Sequence, residues 1–64
     1  MKVKEFMRKV NAASAKLPVY LCEGVGGKER KAESWDFGDY YYDEKDRIVM
    51  SISLEGDRVI VYYK

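Results

Sequence analysis

The last third of the chain holds two apolar, β-branched-rich runs separated by a short polar stretch. Ile48 to Leu54 and Val59 to Tyr63 flank Glu55-Gly56-Asp57. Two β-branched-rich runs around a glycine turn predict a β-hairpin. With Glu55-Gly56 as the turn, Ile52 faces Val59, Met50 faces Val61 and Ile48 faces Tyr63, giving one apolar face. Val49, Ser51, Ser53, Arg58, Ile60 and Tyr62 then share the other face. A three-residue turn with a bulge would instead bring Ile60 and Tyr62 inward and turn Val59, Val61 and Tyr63 out.

At the opposite end, Val3, Phe6, Met7, Val10, Ala13 and Leu17 recur at the spacings of an amphipathic helix, with Glu5 placed to pair with Lys9 one turn on. Pro18 disfavours helical geometry at Leu17, so the helix is expected to stop near Lys16 after about 22 Å. Its start lacks the usual signal, because Lys2 stands where Ser, Thr or Asp would cap; Glu5 in the first turn compensates in part.

Between helix and hairpin, Val19-Tyr20-Leu21-Cys22 reads as a first strand ended by Gly24. Residues 25–33 read as a long loop. Residues 34–42, aromatic and interrupted at Gly38, read as a second strand, with Trp35, Phe37 and Tyr41 toward the core. Asp39 conflicts with that face, and a bulge at Gly38-Asp39 is the natural repair. Residues 43–46 form a polar turn.

These elements predict a single α+β domain, residues 1–64, in which one N-terminal amphipathic helix packs on one face of a four-stranded antiparallel β-meander. A helix about 10 Å across covers one face of a sheet whose strands lie about 4.8 Å apart. The helix stripe is expected on Ile48, Met50, Ile52, Val59 and Val61. The second face is then left bare, presenting Tyr40, Tyr42, Val49, Ile60 and Tyr62 as the candidate partner-binding surface.

Composition narrows the chemistry. A 64-residue domain buries roughly 60% of its unfolded surface and usually needs a staple. One cysteine excludes an intrachain disulfide, and the absence of histidine removes the usual zinc sets. Packing or self-association as a homodimer, through the bare face or by edge pairing of Val59 to Tyr63, would meet the need. The lone Cys22, the charged start from Lys2 onward and the lack of any long apolar segment lead to the expectation of a cytoplasmic protein without membrane contact.

Net charge is +1, but Lys2, Lys4, Arg8, Lys9 and Lys16 crowd the helix while Asp36, Asp39, Asp43, Glu44 and Asp46 crowd the loop before the hairpin. The basic helix and the tyrosines give an alternative reading, a nucleic-acid-associated small regulator. The acidic loop beside the tyrosines weighs against it.

Gly24-Val25-Gly26-Gly27-Lys28 lacks the spacing and the following Ser or Thr of a phosphate-binding loop, and Asp36-Phe37-Gly38 matches a kinase tripeptide by coincidence. The aspartates do not match a calcium loop, and no base stands at a recognisable spacing from Cys22. The expectation is a non-enzymatic chain with no cofactor and no metal.

The opening, Val3-Lys4-Glu5-Phe6-Met7 through Leu17-Pro18-Val19-Tyr20-Leu21, resembles the start of many small uncharacterised proteins of bacteriophages and mobile elements, in which a charged amphipathic helix leads directly into a strand. It departs from them in lacking a capping Thr or Ser before Val3. The resemblance covers the first third of the chain. It implies a small accessory protein that acts by binding a host or defence component, with no catalytic residues to carry over.

Overall fold

The structure is a computed structural model and describes residues 1–12, 17–38 and 41–64. It contains helix α1 (Val3–Ala12), strands β1 (Val19–Glu23) and β2 (Glu29–Lys31), a 3-10 helix (Ser34–Phe37), and strands β3 (Val49–Glu55) and β4 (Arg58–Tyr63). The fold is α+β. The expected helix end near Lys16, with Ala13, lies outside the described residues.

The sheet is mixed, with strand order β2-β1-β4-β3. Two antiparallel hairpins, β1–β2 and β3–β4, join through a parallel pairing of β1 with β4, which aligns Val19 with Val59 and Leu21 with Val61. This corrects the expected meander. It also relocates the second strand: Ser34–Phe37 form a 3-10 helix, Tyr41 and Tyr42 lie in no strand, Asp39 of the expected bulge is outside the described residues, and the pairing partner of β1 is Glu29–Lys31, inside the stretch expected to be a loop. The aromatic run would favour a strand by propensity alone. Packing overrides it, because Asp36 is buried and held by Arg30, a contact that the tight 3-10 turn allows.

The hairpin turns at Gly56-Asp57, where Gly56 has φ +63, so Glu55 pairs with Arg58 and Ile52 with Val61. The register is thus displaced by two residues from the expected one. Side chains on the Val59, Val61 and Tyr63 face keep their side, as a two-residue shift must leave them. A register shift between Val49 and Ser51 leaves Met50 as an extra residue and brings Val49 opposite Tyr63.

The core joins Val3 and Met7 of α1 to Val19, Leu21, Val61 and Tyr63 of the sheet, with Ala32 and Tyr42 from the connections. Phe6, Val10, Phe37, Val49 and Val59 pack around it. The helix therefore lies over β1 and β4, the sheet's two inner strands. Ile48, Met50 and Ile52, expected beneath it, are about half exposed, and Trp35 and Tyr41 are also exposed.

The weak sequence signal at the helix start has a tertiary explanation. The Val3 amide donates to the Arg47 carbonyl and the Lys4 amide to the Lys45 carbonyl, 2.9 and 3.0 Å, satisfying amides that otherwise lack intrahelical partners. The Glu5 carboxylate accepts from the Lys2 amide at 3.0 Å, and this bond holds its pKa below the ordinary value. No helix among the described residues is long and apolar enough to cross a membrane.

Candidate functional site

The sequence Val49-Met50-Ser51-Ile52-Ser53-Leu54 carries no charge, and the sheet order leaves it on an edge. Its backbone orientation follows from the neighbouring pairings. The Val59 amide donates to Pro18 and the Tyr63 carbonyl accepts from Gly24, so the alternate residues of β4 present their backbone to β1. Ile60 and Tyr62 therefore bond toward β3, to Ser53 and Ser51. The backbone groups of Ile52 and Leu54 point away from the sheet.

Side chains complete this edge. Ile48, Met50, Ile52 and Leu54 are 47%, 45%, 49% and 68% exposed. Ile52 and Leu54 stand on the helix side of the sheet, opposite Val61 and Val59, at positions α1 does not reach. Among the described residues, only Met1 and Lys2 lie along the outer edge: Lys2 bridges Ile48, and the Val49 amide donates to the Met1 carbonyl at 2.9 Å. No other described residue lies along the outer edge of residues 50–55.

The opposite edge is chemically different. Strand β2 is Glu29-Arg30-Lys31, charged at every position. Charge on an edge strand discourages pairing by another chain, and β3 carries none until Glu55.

The second face holds Tyr20, Cys22, Ile60 and Tyr62, aligned by the β1–β4 register. Arg58 lies over the Tyr20 ring, 5.0 Å from its centroid, and reaches Glu29 at 3.1 Å, crossing β1. With the two tyrosines half-buried beside it, Ile60 and Cys22 are buried although no second layer exists among the described residues. The Tyr62 hydroxyl donates to Glu55 at 3.4 Å, and desolvation, then Glu55, raises its pKa above the ordinary value.

The five residues expected on the bare face are thus separated. Ile60 and Tyr62 do stand on it, but Ile60 is buried. Tyr42 and Val49 belong to the core side: Tyr42 lies outside any strand and packs in the core, and the bulge at Met50 turns Val49 toward Tyr63. Tyr40 lies outside the described residues. The exposed apolar set on this edge that the sequence reading missed is Ile48, Met50, Ile52 and Leu54, of which Ile48, Met50 and Ile52 were expected beneath the helix.

Elsewhere among the described residues several polar groups are paired. Lys2 and Lys4 reach Asp46 at 3.7 and 3.2 Å. Cys22 is buried, its thiol 3.2 Å from the Gly24 carbonyl and 3.4 Å from that of Gly27. No group of three or more His, Cys, Asp or Glu side chains suited to a metal occurs among the described residues. Comparison with family models, curated proteins and solved structures gives no match.

Proposed function

We propose that the chain is a non-enzymatic protein-binding module that takes its partner by strand addition to the outer edge of β3. The observation that carries this reading is the outward backbone of Ile52 and Leu54 set among four apolar side chains 45–68% exposed. In strand addition the main-chain bonds supply affinity, and the alternating side chains supply selectivity. An accessory protein of the kind implied by the N-terminal resemblance would act on its target in this manner.

The test is capture of partners from a lysate with the wild type beside an Ile52→Lys, Leu54→Lys chain, followed by amide hydrogen exchange on the complex. The double variant should lose the partner, and exchange at Ile52 and Leu54 should slow in the wild-type complex. A partner held equally by both chains, or one that leaves those amides unchanged, overturns the reading.

A further inference from the structure

We infer that the partner fitting the β3 edge is a second copy of this chain, paired antiparallel about a two-fold axis through Ser53. This rests on the edge reading above and names its occupant.

The free length of the edge sets the register. Met1 and Lys2 occupy the positions beside Val49 and Ile48, and the turn at Gly56-Asp57 ends the strand. An added antiparallel strand can therefore run along residues 50–55 and reach as far as Gly56, where the turn begins, which makes residues 50–56 the usable row. That segment is centred on Ser53, so a second copy fits its whole length with Ile52 opposite Leu54, Ser51 opposite Glu55 and Ser53 opposite itself. A register centred on Ile52 drives the second copy into Met1, and one centred on Leu54 leaves Met50 and Ser51 unpaired.

Ile52 and Leu54 both direct their backbone outward, as the two hydrogen-bonded pairs of this register require. The two-fold axis stands perpendicular to the sheet, so both helices remain on the same side. Between them the exposed Ile52 and Leu54 of the two copies form a shared apolar strip.

Charge agrees with this arrangement. The uncharged centre contains no like-charge contact, and Glu55 and Asp57 of each turn approach the end of the outer row where the other copy carries Lys2. Pairing leaves the charged β2 strands as the outer edges of an eight-stranded sheet, which closes the assembly at two copies. A single strand pairing covers less than the roughly 800 Å² per partner of a standard interface, so dissociation on the order of 0.1 mM is expected.

Sedimentation of the purified chain from about 10 µM to about 1 mM tests this. The mass should rise from 7.5 kDa toward twice that value, while the Ile52→Lys, Leu54→Lys chain stays at 7.5 kDa and keeps its wild-type circular dichroism. Independently, Ser53→Cys should cross-link on mild oxidation at least about tenfold faster than Ser51→Cys, because a non-hydrogen-bonded antiparallel pair sits within disulfide reach.

A wild-type mass that stays at 7.5 kDa overturns the second copy. If a lysate partner still protects Ile52 and Leu54, the edge reading survives that result. A double variant that dimerises like the wild type overturns both. Equal cross-linking at Ser51→Cys and Ser53→Cys overturns the proposed axis.

Discussion

Arg30 Nη1 lies 3.0 Å from Oδ2 of Asp36, a residue with no exposed surface, and the same guanidinium also binds Glu44 through Nε at 2.8 Å. One arginine on β2 thereby ties the 3-10 helix to the turn that caps α1. Two carboxylates raise the Arg30 pKa above its ordinary value, Glu44 more than Asp36. In a small chain with one cysteine and no histidine, this clamp joins segments that a disulfide or zinc ion would otherwise have to join.

Removing Arg30 leaves Asp36 buried without its counter-charge. Arg30→Ala should destabilise the fold by about 3 kcal/mol, a large share of the stability of a domain this size. Arg30→Lys should restore little, since an ammonium cannot make the two-sided contact of the guanidinium fork. Urea denaturation of the three chains checks both statements, and a Lys variant as stable as the wild type would refute the geometric part.

The Tyr42 hydroxyl is buried and has no hydrogen-bond partner among the described residues. Burial first, then Asp36 and Glu44, raises its pKa. Removal of an unsatisfied buried hydroxyl spares its desolvation cost, so Tyr42→Phe should be neutral or stabilise by about 1 kcal/mol. Thermal melts at neutral pH decide this, and a clear loss of stability would reveal a partner for the hydroxyl.

Asp46 links the turn to the start of α1. Hydrogen bonds from Lys45 and then Lys4 lower its pKa to about 2 from the ordinary 3.8. A carboxyl lowered by folding stabilises the native state above its unfolded pKa, and that contribution disappears as pH falls through the folded value. The effect should be small, because Asp46 is exposed. Asp46→Asn should flatten the loss of stability between about pH 4 and pH 2, as read from urea midpoints across that range. An unchanged acid profile would show that the lysine contacts do not persist in solution.

Legibility in the sequence depended on how local the causes were. The stripe Val3, Phe6, Met7 and Val10 follows from helix periodicity alone, and the β3–β4 hairpin follows from two apolar, β-branched-rich runs around Gly56. Strand β1 was equally legible. By contrast, Glu29-Arg30-Lys31 has no apolar pattern and becomes a strand only because β1 offers its edge. The stretch of candidate-site residues was recognisable as strand, while its exposure was not. Yet a helix about 10 Å across can cover only about two strands, and β1, β3 and β4 are all apolar on the helix side. One of the three had to remain partly open.

The sequence by itself determined the α+β class, the amphipathic helix, the first strand and the hairpin, because each depends on periodicity or turn chemistry within a few residues. Tertiary structure decided the parallel β1–β4 seam, the 3-10 turn held by Arg30, and the helix cap supplied by carbonyls at Lys45 and Arg47. Those features join groups far apart in the chain, where no local pattern ranks one pairing above another. The same seam placed β1 and β4 under the helix and left Ile52 and Leu54 of β3 at the open edge.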